Sequence, residues 1–166
     1  MDIFYNKIRK ICDENEKVAM FIDMDGTIVE YTVYREGEIS TSTTGKFLNG
    51  QPINVVINNL KRISEIKNID LYILTLSRSH IIVQEKKQWL KKYVDFIDEK
   101  NWIIINKEAN EYNKENRDYI KSQKIQERIK DYNCAILLDD DHKILKQTQD
   151  DLKDKGYVFH LSSAII

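Results

Sequence analysis

The sequence predicts an α/β fold, a three-layer α/β/α sandwich built on a mostly parallel five-stranded sheet. Three observations carry that prediction. Short apolar runs such as VAMFI (18–22) and CAILL (134–138) read as strands buried on both faces. Segments with apolar residues at helical spacing lie between them. The two kinds alternate along the chain, as right-handed strand–helix–strand crossovers require. The chain has 166 residues, 42% of them hydrophobic and 32% charged, which suits one soluble domain spanning 1–166.

The elements follow in order. IFYNKIRKI reads as a helix with Ile3, Phe4, Ile8 and Ile11 near one face. VAMFID is the first strand. YTVYREGEIS (31–40) has the pattern of a β-hairpin turning at Glu36-Gly37, a small flap within about 30–50. Ser40 to Gly50 is a loop. Its STSTTGKF stretch lacks the first glycine and final hydroxyl of a phosphate-binding loop. Pro52 is expected to start a helix whose stripe is Ile53, Val56, Ile57, Leu60 and Ile63.

DLYILTLS is the second strand. Ser79 is placed to cap a helix over 80–93, with Ile82, Lys86, Trp89, Leu90 and Tyr93 along one side. NWIIIN (101–106) is the third strand, followed by polar loop or exposed helix to Gln123. A helix over 121–130 buries Ile125 and Ile129. CAILL is the fourth strand and ends in Asp139, Asp140 and Asp141. A helix marked by Ile144, Leu145, Thr148 and Leu152 is expected to stop at Gly156, before the fifth strand, YVFHL.

Open sheets of this kind bind ligands beyond the carboxyl ends of their strands. Here those ends carry Asp23 and Asp25, then Thr75 and Ser77, then Asp139 and Asp140, and last His160, Ser162 and Ser163. Several carboxylates converging in one cleft require a counter-charge. A hard divalent cation held through oxygens, Mg²⁺, supplies it and brings phosphate with it.

FIDMDGTI resembles the first motif, DxDGT, of the haloacid dehalogenase-like phosphohydrolase superfamily, whose core is Rossmann-like. YILTLS resembles the second motif, and ILLDDD the fourth. The likeness spans about residues 18–163. It implies a Mg²⁺-dependent phosphomonoester hydrolase with Asp23 as nucleophile and Asp25 as general acid and base. Thr75 would bind the transferring phosphoryl group, and Gly26, Thr27 and Ser77 would contact substrate. Asp23, Asp139, Asp140 and the backbone carbonyl of Asp25 would hold the metal. The family's lysine is assigned to Lys121, 18 positions before Asp139, with Lys107 and Lys124 as alternatives.

Both places where such proteins insert a cap are short. There are 26 residues from Gly26 to Gln51 and 14 from Lys107 to Ile120, which implies a capless site. Capless relatives act on large substrates, on small molecules, or with a partner protein as lid. EKKQWLKKY (85–93) is similar to the corresponding helix of 5′(3′)-deoxyribonucleotidases, which raises nucleotides and nucleic-acid ends as substrates. The competing class is a phosphoryl-accepting signalling domain without turnover. Its acids would come in another order, with a lysine after the fifth strand. A non-catalytic binding protein that keeps the fold is disfavoured by the intact acids.

Other classes are excluded or left without support. The net charge of −1 gives no global field for nucleic acid. No apolar run is long enough for a membrane span, and MDIFYNKIRK lacks the pattern of a signal peptide, so a cytoplasmic location is expected. Cys12 and Cys134 have no metal-ligand spacing and read as reduced, buried thiols. Asp141 and His142 are expected to open a helix, and His80 and His160 to be structural.

Overall fold

The computed structural model describes residues 3–31 and 47–166. The expected hairpin at 31–40 and most of its flap lie outside the described residues. Five strands form one sheet: β1 (Val18–Ile22), β2 (Ile69–Ser77), β3 (Trp102–Asn106), β4 (Cys134–Asp139) and β5 (Gly156–His160). Their order is β3-β2-β1-β4-β5, and all four pairings are parallel. The α/β expectation holds, and the sheet is wholly parallel.

Every residue of β1 and of β4 is buried, which is why these segments read as unbroken apolar runs rather than alternating ones. Val18, Met20 and Ile22 face a core shared with α1 (Ile3–Glu14), α2 (Asn54–Ile63) and α3 (His80–Tyr93). Ala19 and Phe21 face the opposite core, under α4 (Ile120–Arg128) and α5 (His142–Leu152). The helical stripes expected from the sequence supply these buried faces, with that of α5 buried throughout; Ile3 is exposed, Ile53, Ile82 and Tyr93 are half-buried, and Ile129 is half-buried just past the end of α4. Ser79 caps α3 by accepting from the Ile82 amide, and Asp141 caps α5 by accepting from Lys143 and Ile144. Among the described residues, no helix is long and apolar enough to cross a membrane.

Two punctuation marks in the sequence act differently from expectation. Pro52 does not begin α2, which starts at Asn54. Instead it bridges antiparallel to Val29, flanked by hydrogen bonds from Glu30 N to Gln51 O and from Ile53 N to Ile28 O. Pairing with the loop after β1 outweighs proline's preference for a first helical turn. Gly156 does not stop α5. That helix ends at Leu152, Lys153 takes a positive φ of 52°, and Gly156 is already the first residue of β5. Its missing side chain matters for packing: a Cβ there would lie 2.5 Å from that of Leu152.

Candidate active site

The carboxyl ends of β1, β2 and β4 lie side by side at the middle of the sheet. The ladder runs one residue past β1, because the Asp23 amide donates to Leu138 O at 3.0 Å. The chain then turns sharply. Met24 O accepts from the amides of Thr27, Ile28 and Val29, and Gly26 N donates to Val29 O. Gly26 has φ +77°, and a Cβ there would meet the Tyr31 ring at 2.3 Å and an Asp140 oxygen at 2.6 Å. Only glycine fits both the backbone and the space. Met24 is fully buried, so the turn wedges an apolar side chain into the core between the two acids.

Asp23 and Asp139 are buried, and Lys121 reaches both from the first turn of α4. Its Nζ donates to Asp23 Oδ1 at 2.6 Å and to Asp139 Oδ2 at 2.6 Å. Thr27 Oγ1 donates to Asp23 Oδ2 at 3.4 Å. The Asp141 amide donates to Asp139 Oδ1, and the Tyr31 hydroxyl donates to Asp140 Oδ2 at 3.0 Å. Asp23, Asp139 and Asp140 each offer an oxygen within 4.8 Å of the others.

On the other flank stand Asp25 and Thr75. Lys86, from α3, donates to Asp25 Oδ2 at 2.5 Å, to Thr75 Oγ1 at 2.7 Å and to Leu76 O at 2.7 Å. Four carboxylates (Asp23, Asp25, Asp139, Asp140) thus meet two ammonium groups. The shortfall registers on Asp23, whose carboxyl is pushed up to about 7. Burial is the main cause, with Asp139 and Asp25 adding to it and Lys121 working against it. Burial also raises Asp140. An all-oxygen cluster short of two positive charges suits a hard divalent cation. Asp23, Asp139 and Asp140 would be its side-chain ligands.

Among solved structures, the HAD domain of effector protein Lem4 from Legionella pneumophila is similar over 87% of this chain and 87% of its own. The identity is 12% and the TM-score 0.43. A likeness of that degree says nothing of activity. No protein-family model matches the sequence, and no curated protein matches it.

The structure brings Asp23, Asp25, Gly26, Thr27, Thr75, Lys121, Asp139 and Asp140 into one site. Ser77 is buried close by and donates to Ser79 O, which ties it to the start of α3. Of the alternative lysines, Lys107 is exposed just after β3, and Lys124 pairs with Glu127 at the surface. Neither contacts the acids. His80 hydrogen-bonds Asn106, and His160 caps the turn after β5 while stacking on His142.

Sequence reasoning did not single out Lys86 as functional. It lies on the stripe of α3 expected from the sequence, between Ile82 and Trp89, where the aliphatic stem of a lysine fits whatever its ammonium meets. The available signal was a cation on an otherwise core-facing stripe four residues after Ile82 and three before Trp89. Beside it, Glu85 is also buried and accepts from the Phe47 amide.

Proposed function

We propose that the protein is a Mg²⁺-dependent phosphatase of the haloacid dehalogenase type, acting on a phosphomonoester. The observation that carries this reading is the division of the acids. One buried carboxylate, Asp23, sits in the metal cluster. A second, Asp25, stands outside it with a side chain 39% exposed. A nucleophile and a proton carrier need these two environments.

The bound cation would neutralise phosphoryl oxygens and hold the substrate against Asp23. The Asp23 carboxylate attacks phosphorus, and the bond from phosphorus to the leaving oxygen breaks. Asp25 gives its proton to that oxygen. The chain then carries an aspartyl-phosphate. Water attacks phosphorus, Asp25 takes its proton, and the bond to Asp23 breaks, which releases phosphate and restores both acids. Lys121 spends two donors on Asp23 and Asp139 and keeps a third for a phosphoryl oxygen. Thr75 stands beside Asp25 for the same group. The expected test result is turnover of an aryl phosphate with Mg²⁺, lost with EDTA and in Asp23→Asn. Full activity in Asp23→Asn would refute the mechanism.

A nucleotide or a phosphorylated nucleic-acid end is the substrate reading favoured by the cleft beside Asp25. This cleft holds about 360 Å³ and is walled by Tyr31, Phe47 and Tyr112, with Arg78 and Arg117 in its lining. Aromatic walls suit a base, and Arg78 suits a further phosphate, Arg117 being paired with Asp118 and Asp141. A panel of nucleotides, sugar phosphates, phosphopeptides and 5′- or 3′-phosphorylated oligonucleotides tests it. Preference for sugar phosphates or phosphopeptides would overturn it.

A further inference from the structure

Lys86 is 1% exposed, and its three N–H donors are all committed: to Asp25 Oδ2, to the Thr75 hydroxyl and to the Leu76 carbonyl. It therefore differs from Lys121, which has only two partners among the described residues. No donor of Lys86 remains for substrate. Phe47 covers it, with the ammonium 4.8 Å from the ring centroid. A buried ion pair is costly to keep, and the two partners together are often replaceable by apolar side chains without loss of stability. A stem of this length in the α3 stripe could have been a methionine. What the charge adds is a tie between the turn after β1, which carries Asp25, and the end of β2, which carries Thr75.

The effect on Asp25 is specific to one atom. Oδ2 is held by Lys86, with Thr75 Oγ1 a further 3.4 Å contact. Oδ1 has no hydrogen-bond partner among the described residues, and Asp25 lines the cleft. We infer that Lys86 is a positioning residue for proton transfer: it fixes Asp25 by Oδ2 so that Oδ1 is the oxygen that delivers the proton to the leaving group. This rests on the phosphatase reading above. In the step itself, the bond from phosphorus to the leaving oxygen breaks as the Oδ1 proton passes to that oxygen. Lys86 neither gains nor loses a proton.

A residue that acts through the proton carrier matters in proportion to the leaving group's need for a proton. The experiment compares Lys86→Met with the wild type on two esters, an alkyl phosphate and 2,4-dinitrophenyl phosphate, with Mg²⁺ present. The expected kcat loss is about 100-fold on the alkyl ester and under about 5-fold on the dinitrophenyl ester, whose leaving group departs as a stable anion. The Mg²⁺ dissociation constant, measured by calorimetry, stays within about twofold, since Lys86 bonds none of Asp23, Asp139 and Asp140, while a loss routed through its bond to Thr75 would weaken both esters alike. Lys86→Gln keeps a donor for Thr75 or Leu76 without the charge. It is expected to show the same selective loss, which keeps the test valid if the methionine variant folds poorly. An equal loss on both esters, or none on the alkyl ester, overturns the assignment while leaving the phosphatase reading intact. Wild-type protein that hydrolyses neither ester overturns both.

Discussion

Lys121 and Lys86 are both buried and both reach the end of the sheet from a helix, yet their pKa values move in opposite directions. Lys121 lies between two carboxylates. Burial works against its charge, but Asp23 and Asp139 outweigh burial, and its pKa rises above the ordinary lysine value. Lys86 has a single carboxylate, Asp25, at hydrogen-bond distance. Burial prevails there, and its pKa falls below the ordinary value. The difference teaches that the site has two electrostatic halves. The half around Asp23 is rich in negative charge and suits a cation. The half around Asp25 is closely matched and already complete.

The strongest way to break this comparison is Asp23→Asn, for which turnover should fall to background while the fold persists in circular dichroism. Next comes Lys121→Met. Its turnover should drop by about 10²–10³, the usual cost of one pre-organised charge donor. Mg²⁺ should nevertheless bind more tightly by calorimetry, because Asp23 and Asp139 lose the lysine that bonds both. Weaker Mg²⁺ binding in that variant would show that Lys121 organises the cluster rather than competing with the cation. Gly26→Ala should destabilise by about 1–3 kcal/mol in urea unfolding, because a left-handed backbone and contacts with Tyr31 and Asp140 both oppose a Cβ.

The far side of the same core offers the control. Cys12 and Cys134 are buried thiols with no cation to offset burial, and burial pushes both up to about 11 from an ordinary 9.0. A raised pKa means the folded state favours the protonated thiol. The contribution is therefore intact below about pH 9 and is lost as pH rises through 11. The stability gap between wild type and a Cys12→Ala/Cys134→Ala variant should narrow over that window. The smallest effect belongs to Asp141→Ala, which removes the cap of α5 and its pairing with Arg117. It should cost about 1 kcal/mol by thermal unfolding and leave Mg²⁺ affinity unchanged.

Most of this arrangement was legible in the chain because it follows from strands. A buried parallel strand has to be apolar throughout, so the acids at its end stand out, and Asp23, Asp25, Asp139 and Asp140 could be read directly. Lys121 could be named only through a family likeness, since nothing local distinguishes it from Lys124. Lys86 was hidden for a physical reason. The aliphatic stem of lysine fits a core-facing stripe, and the destination of its ammonium depends on where β1 and β2 end relative to α3. Pro52 and Gly156 were misread because a local rule met a tertiary contact: a bridge to Val29 in one case, the flank of Leu152 in the other.

The turn after β1 closes on itself chiefly through backbone bonds. Three amides converge on Met24 O. The backbone bonds that place Asp23 and Asp25 therefore need no cation, and this turn has nothing of its own to order on binding. Titration with Mg²⁺ should raise the melting temperature only as mass action dictates. Hydrogen exchange at the amides of Thr27, Ile28 and Val29 should already be slow in the metal-free protein. The scaffold behaves as a rigid socket, and recognition of the cation costs the backbone almost no entropy.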